Sequence, residues 1–420
     1  MKIKLKSFNI TLLIVLLFIS EIFQLKITFL KYTDEIICVI GVIYLIFNMV
    51  MKKKKIDKGD SKILLILSLV VIIGILGNVF YDVEKNIYYI IIDIVSTTKA
   101  IIVYVFAKNY LTKETAKQVT RSLLIFSKIF IIFSAIFSVL SQSVDLDMVG
   151  EKRFGIKGFN FIFPYQHVLA IYLMSFVLFI AINSKDNSKT IKKYVLIAFI
   201  SQIMTTKGPS IIWCALIVLL FKYYDKNKKI SKLFIFVITA ICIVLGQYQI
   251  KNYFLNENAP RALLLKYGII TALKFKPIGA GFATYGSDSA IKDYSKLYIE
   301  YGFNKLYGMN ENNGIFLNDN YWPTLLGEFG FIGTILMMYV YYYLFRKFQQ
   351  INCNKYVKTI IISNYIYILI HSLGSAAITS SASVFLFLTF GIYEKIYKDE
   401  DIGTKIKNKT SLVNEKIISK

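Results

Sequence analysis

Three cations stand apart from the lysine-rich runs of this chain: Arg153 and Arg261 on long connectors, and Lys207 in the break Lys207-Gly208-Pro209. A guanidinium binds an oxyanion through paired, charge-assisted hydrogen bonds, whereas a lysine acts as a point charge. Two carboxylates follow, Asp319 and Glu328, about nine residues apart, so they need not share a helix face. A carboxylate can orient an attacking hydroxyl or take its proton. Residues of these types therefore suit anion binding combined with proton transfer. The plainer reading is interfacial cations that snorkel, and a Glu328 that sits in the first turn of a helix because the dipole favours it there.

The elements that must position these residues are apolar. The chain has 420 residues, 56% hydrophobic and 18% charged, against about 25% charged in an ordinary soluble domain. Apolar runs of roughly 17 to 22 residues recur between short Lys- or Asn-rich connectors, enough to cross a hydrocarbon core of about 30 Å. The net charge of +24 is not a nucleic-acid footprint. It gathers beside apolar runs, at Lys52 to Lys55, from Lys222 to Lys232 and after Lys395, and no basic stripe alternates with stacking aromatics. Cys38, Cys214, Cys242 and Cys353 lack metal-ligand or disulfide spacing and read as small buried hydrophobes. The run Phe8 to Leu25 follows three lysines but has no small-residue cleavage site, so it reads as a first span and not as a signal peptide.

The pattern predicts an all-α polytopic membrane protein with about 12 transmembrane helices. Spans fall near 8–25, 33–51, 63–80, 87–107, 122–142, 164–182, 194–206, 209–222, 231–248, 323–345, 357–375 and 382–397. The face holding both termini collects about twice the Lys and Arg of the other, so both termini are expected in the cytoplasm. The break at Gly208-Pro209 predicts two short helices over 194–222. Two connectors then become outer loops, 143–163 and the large one at 249–322, while 398–420 forms a basic cytoplasmic tail. The large loop holds a helical stretch, Arg261 to Lys274, with Leu264, Leu265, Ile269 and Leu273 at near-helical spacing, then turns at Pro277-Ile278-Gly279-Ala280-Gly281. Its Tyr, Asn and Gly content up to Asn320 suits sugars, since aromatic faces stack on pyranose rings and amides bond hydroxyls. Within the spans, Asp93 and Lys99 lie on different faces of one helix and are expected to line a wet cavity or to pair across helices. His167 and His371 each stand alone in an apolar span and read as core groups.

Four segments, in order, resemble the Wzy-type O-antigen and capsular polysaccharide polymerase family, within the O-antigen ligase/polymerase superfamily. They are Arg153-Phe154-Gly155 with Phe163-Pro164; Thr205-Thr206-Lys207-Gly208-Pro209-Ser210; Pro260-Arg261 and its helix, closing on Pro277-Ile278-Gly279-Ala280-Gly281; and Asn318-Asp319-Asn320-Tyr321-Trp322 leading to Leu326-Gly327-Glu328-Phe329-Gly330-Phe331-Ile332-Gly333. The likeness covers about residues 150–345, and order and topology carry it. Lys207 stands where arginine is common in the family. No histidine precedes Tyr321, which favours a polymerase over a ligase.

The resemblance implies a GT-C-like fold and a glycosyltransferase that joins polyprenyl-diphosphate-linked oligosaccharides at the outer leaflet of the cytoplasmic membrane. Arg153, Lys207 and Arg261 would then bind the substrate diphosphate, with Asp319 and Glu328 as the catalytic carboxylates that take the acceptor proton or orient its hydroxyl. Arginines can stabilise the leaving diphosphate, so no metal or other cofactor is expected. The implied partners are the lipid-linked substrate, the bilayer, and flippase and chain-length regulator proteins, with no nucleic acid. The rival readings are an O-antigen ligase-type glycosyltransferase and a lipid-linked oligosaccharide flippase or transporter.

Overall fold

A computed structural model describes residues 2–51, 56–153, 155–184, 187–224, 256 and 259–398. The expected span at 231–248, the opening of the 249–322 segment and the tail beyond 398 lie outside these residues. The helices are α1 (Lys2–Phe23), α2 (Thr33–Val50), α3 (Lys58–Tyr81), α4 (Ile87–Tyr110), α5 (Lys113–Ser122), α6 (Leu124–Ser143), α7 (Gln166–Asn183), α8 (Ser188–Met204), α9 (Gly208–Tyr223), α10 (Pro260–Lys274), α11 (Asp288–Lys292), α12 (Lys296–Glu300), α13 (Tyr321–Gln350) and α14 (Lys355–His371). A last helix, α15, covers 381–398. One antiparallel hairpin, β1 (Val149–Arg153) and β2 (Ile156–Phe159), lies between α6 and α7.

Seven stretches, α1, α2 with the turn before it, α3, α4, α5 with α6, α7 and α13, are long and apolar enough to cross a membrane. Their exposed faces agree: Ile43, Leu65, Val79, Ile125 and Ile335 stand in the open, which water would penalise and lipid does not. The chain is a polytopic, all-helical membrane protein. The break at residues 205–207 is present, with α8 ending at Met204 and α9 starting at Gly208.

Helix position follows from how much of each circumference is apolar and covered. α7 is buried from Val168 to Ala181 without a gap, and α4 from Thr97 to Asn109, so these helices are central. α14 and α15 share the interior with them, while α1, α2, α3 and α6 keep one face outward. Trp213 of α9, fully buried, donates its indole N–H to Asn364 of α14 at 2.8 Å, and Asn364 in turn donates to the Met174 carbonyl of α7 at 3.1 Å.

A closed ion-pair ring ties four helices together. Lys108 of α4 reaches Asp60 at 2.7 Å and Glu394 at 2.8 Å, while Lys347 of α13 reaches the same two acids at 2.6 and 3.1 Å. Tyr104 donates to Glu394 as well. Two cations meet two carboxylates, so the ring is neutral, and deleting one member strands a buried charge. Lys99 is likewise paired, with Asp34 and Glu35 of α2 at 2.5 and 3.0 Å, which is the pairing across helices expected for it.

α13 is interrupted at Gly330, whose φ of 58° is left-handed. The carbonyls of Gly327 and Glu328 are taken instead by the N–H groups of Ala280 and Gly281, each at 2.9 Å. Gly279, at φ 78°, lies so close that an added Cβ would sit 2.3 Å from the Gly330 nitrogen. Asn78 of α3 clamps the same loop, donating to the Phe282 carbonyl at 2.9 Å and accepting from its N–H at 2.8 Å. Residues 259–320 thus form a cap seated on α13 and α3. The cap has its own core of Leu264, Phe275, Tyr285, Tyr298, Phe303 and their neighbours.

Gly279→Ala is expected to cost on the order of 3 kcal/mol, from left-handed strain plus the backbone clash. Thermal unfolding of the purified protein would read this as a lowered midpoint. Glu394→Gln, which leaves the ring with surplus positive charge, is expected to cost about 3–5 kcal/mol. The companion double variant Glu394→Gln with Lys108→Met should recover much of that loss in the same assay.

Candidate functional site

Arg153, Lys207, Arg261 and Asp319 are drawn from four separate connections and brought into one neighbourhood. Arg153 closes the hairpin, which is pinned from both flanks. Gln142, at the end of α6, exchanges two hydrogen bonds with the Lys157 backbone at 3.0 Å each, and Gln166, opening α7, donates to the Gly158 carbonyl at 3.4 Å. Lys207 lies in the α8–α9 break, where Thr206 takes a left-handed φ of 56° and Pro209 starts the next helix. Arg261 is the second residue of α10. Its guanidinium stands 3.3 Å from the Asp319 carboxylate and packs against the Gly374 backbone in the turn after α14. That turn is fixed to the start of α13 by the Tyr321 N–H, which donates to the Ser372 carbonyl at 3.2 Å.

Lys207 is the common neighbour: its ammonium feels Arg153, Glu151, Arg261 and Asp319 together. Burial, followed by the Arg153 guanidinium, pulls Lys207 below the ordinary lysine range. Burial pushes the Asp319 carboxyl above its ordinary value even with Arg261 and Lys207 beside it. At the rim, Arg153 bonds Glu151 at 2.9 Å and holds that carboxylate below its usual range. Three cations therefore face two carboxylates, one of them an exposed rim residue.

Helix direction sharpens the imbalance. Lys207 is the residue preceding the first turn of α9, and Arg261 lies in the first turn of α10. Helix N-termini carry partial positive charge and ordinarily recruit acids, yet the first turns of α7, α9 and α10 hold none. Cations at positive helix ends repel them, and here Asp319 answers Arg261 while Glu151 answers Arg153. The arrangement is a cluster of three cations and two carboxylates, with cations at or beside two helix N-termini.

Glu328 does not join it. The sequence places Glu328 in the first turn of a span, but it is the eighth residue of α13, just ahead of the Gly330 break, and it is fully buried. Its Oε1 accepts from the Ser287 hydroxyl at 2.8 Å, and the partner it faces is Asp93 of α4. The left-handed turn at Gly330 and the cap strand lying across it set that position. The aromatics expected to offer sugar-stacking surfaces are also largely spent inside the cap: Tyr267 stacks on Tyr301 at 4.7 Å and Tyr298 on Phe303 at 5.8 Å, while Tyr307 stays exposed.

The two histidines read as separate core groups are neighbours. Their ring centroids are 5.2 Å apart, and His371 lies within electrostatic reach of Lys207 and Arg261. His167 is the second residue of α7 and His371 the last of α14, so they meet at the ends of their helices. Two histidines 204 positions apart, each in an apolar run, carry no local signal of this meeting.

A scan with protein-family models finds no match to the chain, and a sequence search against curated proteins finds none either.

Because the lysine pKa is depressed in the fold, the Lys207 ammonium is present below that value and lost as pH rises through it, ahead of an unperturbed lysine near 10.5. Binding of inorganic diphosphate, followed by calorimetry on the purified protein, should weaken over that alkaline range. Lys207→Arg, which stays charged, should move the loss to higher pH.

Proposed function

We propose that the protein is a polysaccharide polymerase, joining polyprenyl-diphosphate-linked oligosaccharide units at the outer leaflet of the cytoplasmic membrane. The observation that supports this best is the gathering of Arg153, Lys207 and Arg261 around Asp319, with two of the cations at positive helix ends. A diphosphate at a membrane surface is a polyanion of the right charge for such a cluster, and its hold must tighten as negative charge builds on the leaving group. On this reading, the bond between the anomeric carbon and the diphosphate oxygen breaks as the acceptor hydroxyl attacks. The electron pair stays with the diphosphate under Arg153, Lys207 and Arg261. The hydroxyl proton passes to Asp319, which burial makes a better base than a surface carboxylate and which also aligns Arg261. Glu328 belongs to the buried joint and has no part in this step.

The finer topology belongs to the same proposal: about twelve spans in a GT-C-like arrangement, both termini cytoplasmic, and 143–163 and 249–322 facing outward so that the cluster meets the outer leaflet. Flippase and chain-length regulator proteins are the expected company of such an enzyme. A ligase-type transferase would use the same cluster with a different acceptor. A lipid-linked oligosaccharide transporter is the second reading, favoured by the helix interruptions at 205–207 and at Gly330, because discontinuous helices recur at transport sites.

Arg261→Ala, made in the native host with membrane abundance matched to wild type, should lower polymer formation on the order of 10²-fold. Surface polysaccharide resolved by gel should lose its long chains while single repeat units persist. Unchanged length removes Arg261 from the site; loss of the single units as well makes the transporter the better account.

A further inference from the structure

Asp93 and Glu328 are two buried acids that the charge cluster does not use. Asp93, on α4, is 2% exposed and accepts the Ala283 N–H at 2.6 Å. Glu328, on α13, is 0% exposed; its Oε1 accepts from Ser287 Oγ at 2.8 Å and from the Tyr285 N–H at 3.4 Å. The two carboxyl groups are themselves in hydrogen-bonding contact. Glu328 Oε2 has no donor among the described residues. Among the described residues the lysines of α4 are engaged elsewhere, Lys99 with Asp34 and Glu35 and Lys108 with Asp57, Asp60 and Glu394. The other ionisable groups facing it are Asp288, Tyr298 and Tyr321, all anionic or neutral.

Two carboxylates in contact inside a membrane protein cannot both stay charged without a positive charge between or beside them. A cavity of about 20 Å³ opens next to Asp93, with walls that include Ser96, Thr97, Ser287, Thr324 and Thr379. That volume admits one water-sized occupant. The lining offers oxygen donors, which suit a hard ion. The cavity is lined by Asp93 and Ser287, and Ser287 is the residue that bonds Glu328, whose Oε2 has no donor among the described residues, so the pair and the cavity are joined through Ser287.

We propose that Asp93 and Glu328, with the adjoining hydroxyls, form a binding site for one small monovalent cation, either a proton or Na⁺. Their backbone and hydroxyl donors all come from residues 283–287 of the cap, so the bound cation fastens the cap to α4 and α13, and an empty pair would push that joint apart. The proposal rests on no reading of the sugar chemistry.

The test is the thermal unfolding midpoint of the full-length protein in detergent. It is measured in NaCl and in choline chloride at equal ionic strength, at pH 6 and pH 8, for wild type, Glu328→Gln and Asp93→Asn. If Na⁺ is the ion, NaCl raises the wild-type midpoint by several degrees at pH 8 and leaves Glu328→Gln unmoved. If a proton is the ion, the wild-type midpoint falls by several degrees from pH 6 to pH 8 in both salts, and Glu328→Gln flattens that fall. Tyrosines, with pKa values near ~10, do not ionise in this window. Should Glu328→Gln fail to fold, Asp93→Asn makes the same comparison. A wild-type midpoint insensitive to both Na⁺ and pH overturns the proposal without any variant, as does a folded variant that tracks wild type in both. Because the readout is stability, failure here leaves the polymerase proposal where it stood.

Discussion

A helix broken inside a bilayer must have its freed carbonyls satisfied by other protein, because lipid offers no donors. The interruption of α13 at Gly330 meets this requirement with a single strand. Ala280 and Gly281 donate to the carbonyls that the break releases, and Asn78 fastens the next residue to α3. Much else follows from that joint. It fixes where the cap sits, so that α10 lies along α13 with Arg261 beside Asp319. It turns Glu328 inward toward Asp93, away from the charge cluster.

The cluster is built against local preference. Stability alone would put acids at the N-terminal ends of α7, α9 and α10; the chain places Lys207 just ahead of α9, Arg261 in the first turn of α10 and His167 in that of α7. Sites where local rules are broken are where function is expected, even though Asp319 and Glu151 answer part of this charge. The ion-pair ring contrasts with it within the same molecule: its charges are more deeply buried and are matched two against two.

Much of this architecture was legible in the residues. Apolar run length located the helices, since a span must bond its own backbone and be about twenty residues long. Gly208-Pro209 marked a break that is present, and Gly279 and Gly281 marked a turn. The joint itself was not legible, because a turn near 280 and a helix start near 328 reveal themselves as partners only when the left-handed φ at Gly330 opens the carbonyls between them. The meetings of His167 with His371 and of Asp93 with Glu328 were hidden for the same reason: each side chain looks locally like a buried polar group, and only packing decides its neighbour. The tyrosines of 285–301 misled in the opposite direction, since one composition serves a sugar-binding face and a small aromatic core alike.

The order in which the cluster's parts leave the ribosome has its own consequence. Arg153 and Lys207 emerge early, Arg261 and Asp319 later, and the turn at Ser372 to Gly374 that backs the guanidinium arrives only with the hinge between α14 and α15. A nascent chain that has inserted its first nine helices carries two cations with no carboxylate but Glu151 for company and no closed site. The charge cluster is thus completed only late in membrane insertion, and prematurely terminated chains lack it however well their earlier helices pack.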